Sequence, residues 1–168
     1  RYSILNGGFA KWEAEKYPAD NRLPAVTRSE YPLPKGPDDF SVGYKKVLGA
    51  SSAKSAVIID VRPSEFYSGN KSDEARAGRI PGALNRPYTE DVVKTADIVS
   101  LKPVDELEKE YLKIVPSRET EVILHCRTGH QASQTFFILT RLLGYKDVKW
   151  YDGSWTEWGN LVGVPIEK

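Results

Sequence analysis

Residues 121–133 read Glu-Val-Ile-Leu-His-Cys-Arg-Thr-Gly-His-Gln-Ala-Ser, and the fold turns on how this stretch is parsed. Val122, Ile123 and Leu124 form an unbroken apolar run, the pattern of a strand buried on both faces. Downstream, from Ser133 to Leu143, Phe136, Phe137, Leu139, Leu142 and Leu143 supply a broad helical face, and Gly144 stands where such a helix would stop. A buried strand feeding a helix through a tight loop is the βα unit of a parallel sheet. The loop opens at Cys126.

Working outward, the alternation repeats. Ala56-Val57-Ile58-Ile59-Asp60-Val61 predicts a second buried strand, and Val148-Lys149-Trp150-Tyr151 a third. Val42, Val47 and Leu48 predict a short helix from Ser41 to Leu48, stopped by Gly49. Leu101, Val104, Leu107, Tyr111 and Leu112 predict another helix over 101–112. Residues 64–82 are polar and Gly-rich and end in a turn at Arg79-Ile80-Pro81-Gly82. Together these elements predict an α/β fold with a central parallel β-sheet flanked by helices on both faces.

Upstream, Pro18, Pro24, Pro32, Pro34 and Pro37 interrupt residues 13–40. Proline breaks both helix interiors and sheet ladders, so this segment reads as an extended linker. Asn6-Gly7-Gly8-Phe9-Ala10-Lys11-Trp12 resembles Asp152-Gly153-Ser154-Trp155-Thr156-Glu157-Trp158, a faint internal repeat. The second copy closes the domain, so the first reads as the tail of a preceding domain. The expected organisation is a tail at 1–12, an inter-domain linker at 13–40 and a domain at 41–168.

Lys and Arg total 24 against 23 Asp and Glu, which gives no electrostatic case for nucleic acid or a membrane surface. No apolar stretch reaches the length needed to cross a bilayer. The one cysteine excludes an internal disulfide, and with only His125 and His130 beside it a zinc site is not expected. A lone cysteine fits a cytoplasmic or a periplasmic protein, so the compartment stays open.

A lone cysteine is most often a buried small hydrophobe, but this one occupies a reactive setting. Open α/β sheets place ligands at the carboxyl ends of their strands, where Cys126 falls. A loop curling round the sulfur would converge the backbone N–H groups of Arg127, Thr128, Gly129, His130, Gln131 and Ala132 into an anion nest, with Ser133 closing the substrate-binding segment. The helix that follows adds positive potential and Arg127 a full charge, all favouring thiolate. Gly129 permits the tight turn. Such a thiolate can take sulfur from a donor and hold it as a persulfide. It could also attack phosphorus, as in a cysteine phosphatase or arsenate reductase, but the Arg that clamps a phosphoryl group is replaced by Ala132. Asp60 and Arg62 can pair to brace the site or form a plain strand-end salt bridge. His125 reads as structural, His130 as a loop residue with or without a role, and Trp155 and Trp158 as core aromatics before pocket walls.

Four motifs carry a family resemblance. Ala56–Arg62 looks like the Asp-Val-Arg strand of rhodanese domains, and Gly78-Arg79-Ile80-Pro81-Gly82-Ala83 is similar to their Gly-His-Ile-Pro-Gly-Ala, with Arg79 in place of His. Cys126-Arg127-Thr128-Gly129 resembles the active-site loop, and Asp152–Trp158 the closing motif, in the family's order across residues 41–160. The resemblance implies a sulfurtransferase working through a Cys126 persulfide, with thiosulfate as donor and cyanide, a thiol or a protein cysteine as acceptor, and no cofactor. It further implies the catalytic domain of a tandem protein, packed against a preceding rhodanese-like domain. Arg127 leans toward a sulfonate-bearing donor, while Thr128 stands where thiosulfate-specific members carry a second basic residue. A 3-mercaptopyruvate enzyme and a persulfide carrier fed by a partner protein are the alternatives.

Overall fold

The computed structural model describes residues 3–32, 36 and 38–168. Pro34 and Pro37 of the linker, and the first two residues of the tail, lie outside the described residues. The chain divides into two compact units, the smaller made of the N-terminal segment to Asp38 with Val92–Leu101, the larger of Asp39–Asp91 with Lys102–Lys168.

In the larger unit, four parallel strands run in the order β2 (Leu84–Asn85), β1 (Val57–Asp60), β5 (Val122–His125), β6 (Val148–Trp150). The two apolar runs are the central strands. Ile58 and Ile123 point to one face and pack with Val47, Ala50, Ile80, Tyr151, Trp155 and Trp158. Ile59 and Leu124 point to the other and are equally buried. Both faces are therefore covered, as a parallel sheet requires. The edge strand β6 is also covered. Trp150 N–H donates to Phe40 O at 2.8 Å, and Val42 N–H to Trp150 O at 3.0 Å, so residues 40–42 satisfy an edge that would otherwise pair with another chain.

Several boundaries depart from expectation. Helix α2 spans Tyr44–Ala53, not 41–48. It runs through Gly49, an interior glycine being only mildly unfavourable, and ends where Lys54 turns left-handed at φ 52°. Within 64–82 a one-turn helix α3 forms at Ser64–Tyr67. Helix α4 spans Val104–Leu112 after Pro103, burying Leu107 and Tyr111 while Val104 and Leu112 stay half exposed. Leu101 belongs instead to a strand. Helix α5 (His130–Phe137) continues as a π-helical turn at Ile138–Leu142 and stops at Gly144, φ 73°. Trp155 and Trp158 of α6 (Ser154–Trp158) are fully buried in the core.

In the smaller unit, β3 (Val92–Thr95) and β4 (Ile98–Leu101) form an antiparallel hairpin that the sequence pattern did not announce. Helix α1 (Gly8–Ala14) lies against β4, with Asn6 Oδ1 accepting from Leu101 N–H at 2.8 Å. The two copies of the repeat match at one backbone position and differ at the one before it, where Gly7 is left-handed (φ 97°) and Gly153 right-handed (φ -55°). Gly8 (φ 59°) and Ser154 (φ 51°) hold equivalent places, both left-handed, and each opens its helix. Their settings differ, since Trp155 is buried whereas its counterpart Phe9 is 59% exposed. Among the described residues no helix is long and apolar enough to cross a membrane.

Arg76 ties the chain after α6 to the domain. Its guanidinium donates to Trp158 O (2.8 Å), Gly159 O (3.3 Å), Val164 O (2.9 Å) and Leu161 O. Two of these carbonyls belong to the end of α6, Trp158 and its cap Gly159, and two to the chain beyond it, so one guanidinium fixes the path of the whole segment. Arg76→Ala is expected to cost about 2–4 kcal/mol, because carbonyls satisfied by a cation become unpaired. Urea denaturation with an unchanged slope checks this, and a loss below about 0.5 kcal/mol, the ordinary surface level, would contradict it.

Candidate active site

The site is built where β1 and β5 end side by side. Register sets Asp60 against His125, and Val61 N–H donates to His125 O at 3.0 Å. The chain leaves the sheet at Cys126, whose side chain is fully buried. Three residues of bend follow, and α5 begins after Gly129. Only glycine fits there. Its φ is 86°, and an added Cβ would stand 2.4 Å from Asp152 Oδ1. The backbone N–H groups of Arg127, Thr128 and Gly129 make no hydrogen bond to the described residues, and the amino end of α5 follows at once. Unpaired N–H groups and a helix N-terminus form a cradle for an anion.

The Cys126 backbone is itself pinned. Its N–H donates to Ser154 Oγ at 3.2 Å, and the Ser154 hydroxyl donates to Tyr151 O at 2.8 Å. Cys126 O accepts from Trp155 N–H (3.0 Å), and Arg127 O from Thr156 N–H (2.9 Å). The start of α6 therefore fixes the first two residues of the loop. Ser154 holds a left-handed conformation unusual for a residue with a side chain. Sequence reasoning placed it in the closing motif without seeing this bond, and the motif carries no signal for it beyond a hydroxyl among aromatics.

Asp60 and Arg62 do pair, and inside the protein, not as a surface salt bridge. Asp60 is fully buried and Arg62 is 3% exposed. Arg62 Nη2 reaches Asp60 Oδ2 at 2.6 Å, its Nε lies 3.0 Å from both oxygens, and Nη2 also donates to Gly78 O at 2.7 Å. The guanidinium stacks 4.4 Å over Trp155. A buried charge persists only with such partners. His125 is fully buried beside this pair, Nδ1–H donating to Cys126 O at 3.2 Å and Nε2 standing 3.7 Å from Asp60 Oδ2. Burial holds its pKa below the ordinary histidine range, the attraction of Asp60 notwithstanding. The sequence reading expected a structural histidine, and the ring lies buried beneath the loop with its Nδ1–H held by Cys126 O.

The remaining loop residues divide. Thr128 and His130 are exposed and lie together, Oγ1 to Nδ1 3.2 Å. Gln131 is half-buried. Ala132 turns its side chain into the core and offers the site only backbone. Ser133 Oγ–H donates back to His130 O at 2.7 Å. Arg127, expected to add a full charge beside the sulfur, is paired with two carboxylates. Its Nε–H donates to Glu74 Oε1 at 2.8 Å, and Asp73 Oδ2 lies 3.4 Å away. The Glu74 bond, ahead of the two charges, raises the pKa of the guanidinium. Glu74 was missed, because residues 64–82 carry no periodicity to place it.

A cysteine-bearing loop between a buried parallel strand and a helix, seated on a buried ion pair, defines the class of domain. Residues 44–161 match the model of the rhodanese-like domain, and the chain belongs to that family. It is 34% identical to the sulfur carrier protein TtuD of Thermus thermophilus over 98% of this chain and 61% of that protein. It is 34% identical to a thiosulfate sulfurtransferase of Corynebacterium glutamicum over 98% of this chain and 56% of that one. The chain thus spans a little over half the length of these relatives. Among solved structures it resembles the anaerobic ergothioneine biosynthesis enzyme of Chlorobium limicola in complex with trimethyl histidine. That match has TM-score 0.80 and 26% identity, over 98% of this chain and 40% of the other.

His125 makes stability pH-dependent with a definite sign. Its folded pKa lies below the unfolded value near 6.5, so the unfolded state takes up the proton first. This contribution is complete above about pH 6.5 and is lost as pH falls through and below that value. Denaturant titrations from pH 8 to 5 should show that loss in the wild type, and the difference from His125→Gln isolates it. A wild-type-minus-variant difference that stays flat would contradict the assignment.

Proposed function

We propose that the chain is the catalytic domain of a sulfurtransferase in which Cys126 takes a sulfane sulfur from thiosulfate or a similar donor and passes it to cyanide or a thiol. The observation that carries this reading is the position of Cys126, at the carboxyl end of a central parallel strand and at the mouth of a loop where the N–H groups of residues 127–129 have no partner among the described residues. The name of the Corynebacterium glutamicum relative supports the activity class.

The Cys126 thiolate attacks the outer sulfur of thiosulfate, forming an S–S bond. The original S–S bond breaks, and its electron pair leaves with sulfite. The persulfide terminates in an anionic sulfur, which the N–H groups of the loop and the amino end of α5 stabilise as the negative charge shifts along the S–S axis. Attack of cyanide on that outer sulfur releases thiocyanate and returns the thiolate. Asp60, Arg62 and His125 hold the strand ends, and Ser154 holds the Cys126 backbone, so the loop meets the donor already in shape. Thr128 and His130 are exposed beside Arg127 at the entrance and would be among the first side chains to meet the donor or acceptor.

A persulfide-carrier role is favoured by a specific observation, the ion pairing of Arg127, which leaves little net positive charge for a small dianion. A relative named a sulfur carrier supports the same reading. The organisation into tail, linker and catalytic domain is likewise proposed. It is supported by the matching geometry of Gly8 and Ser154 and by the exposure of Phe9, whose counterpart needs a core.

Thiocyanate formation from thiosulfate and cyanide tests the proposal. Cys126→Ala should bring it to background while circular dichroism and the melting temperature stay at wild-type values, since the change removes one small side chain. Turnover retained in that variant would refute the role of Cys126.

A further inference from the structure

The acidic pair facing Arg127 is not used by the mechanism above. Glu74 lies in the loop that follows α3, yet its side chain is only 4% exposed. Its Oε1 accepts from Arg127 Nε and, at 3.3 Å, from Thr156 Oγ1. Its Oε2 is buried with no hydrogen-bond partner among the described residues. The stem of the side chain lies close against Gly159, where an added Cβ would stand 3.2 Å from Glu74 Cβ. Asp73 adds a second carboxylate that is 44% exposed. One guanidinium thus faces two carboxylates beside the loop that carries Cys126, and Asp152 sets a third against Gly129 of the same loop.

We propose that Glu74 is a positioning residue that sets the donor preference of the Cys126 loop, by binding Arg127 and cancelling the charge an anionic sulfur donor needs. The inference rests on the sulfurtransferase reading and names its selectivity. A buried carboxylate with one oxygen already lacking a partner does not readily release its cation to a passing anion, since release would leave its charge uncompensated. A dianion such as thiosulfate therefore meets a neutralised or negative rim. A donor with little charge, or one carried on a protein thiol, is not penalised in this way. Glu74→Gln keeps the size and an acceptor oxygen while removing the charge, and it frees Arg127 to serve an anion.

Two readouts test this on the intact chain. The first is kcat/KM for thiosulfate with cyanide as acceptor. The second is the ratio of alkylation rates of Cys126 by anionic iodoacetate and neutral iodoacetamide, which cancels intrinsic thiol reactivity. Glu74→Gln should raise both by roughly three- to tenfold at low ionic strength, through KM more than kcat, and the gain should shrink in high salt. In an Arg127→Gln background the same change should move either readout by less than about twofold, as expected when two residues act through one contact. Asp73→Asn, at an exposed position that places no burden on folding, should move both in the same direction by less, and it decides the matter if Glu74→Gln does not fold. No rise, a fall, or an undiminished gain without Arg127 would overturn the proposal. Absence of thiocyanate from wild type and variants alike, with the alkylation ratio still rising, would reject thiosulfate as donor and leave the role of Glu74 standing.

Discussion

The end of the sheet that carries Cys126 depends on the parallel pairing of β1 with β5 and on the buried charge pair that this register creates room for. Asp60 and His125 lie opposite one another at the last rung. Arg62 folds back onto Asp60, reaches Gly78 O and stacks on Trp155. A lone carboxylate at that depth would be untenable, and removing one member of such a pair generally costs about 3–5 kcal/mol. The pair therefore makes the strand ends, the Gly78 turn and the start of α6 into one rigid base, and Cys126 leaves the sheet from that base.

Above it, the loop is controlled from two sides. The start of α6 takes the backbone of Cys126 and Arg127 through Ser154, Trp155 and Thr156. The loop after α3 takes the Arg127 side chain through Glu74. Between these anchors the N–H groups of residues 127–129 are left free of protein acceptors among the described residues. The arrangement separates two tasks. In the proposed mechanism, backbone dipoles stabilise charge on sulfur, while side chains on the rim govern which donors approach.

Much of this was legible because it follows from local rules. Unbroken apolar runs marked β1 and β5, and a cysteine straight after such a run could only lie at a strand's carboxyl end. Gly129 before a helical pattern marked the tight loop. The Asp60–Arg62 pair was legible as a possibility, though not its burial, which depends on the turn at Gly78 and on Trp155. Other features arise from tertiary contacts that leave no trace in periodicity. The β3–β4 hairpin is short and half exposed, so neither alternation nor apolar content announced it. Helix α2 ran past Gly49 because Val47 and Ala50 are buried in the core on either side of it. The pairing of Arg127 with Glu74 joins residues 53 positions apart, and a guanidinium looks free in sequence whatever waits across the fold.

The central claim is that Cys126 carries a covalent sulfur atom in the course of transfer. The most direct measurement is the intact mass of the protein after exposure to thiosulfate and again after cyanide, with Cys126→Ala treated in parallel. The account predicts the gain of a single sulfur atom, its removal by cyanide with release of thiocyanate, and no change in the variant. A gain that persists in Cys126→Ala, or thiocyanate released without any persulfide on Cys126, would contradict it.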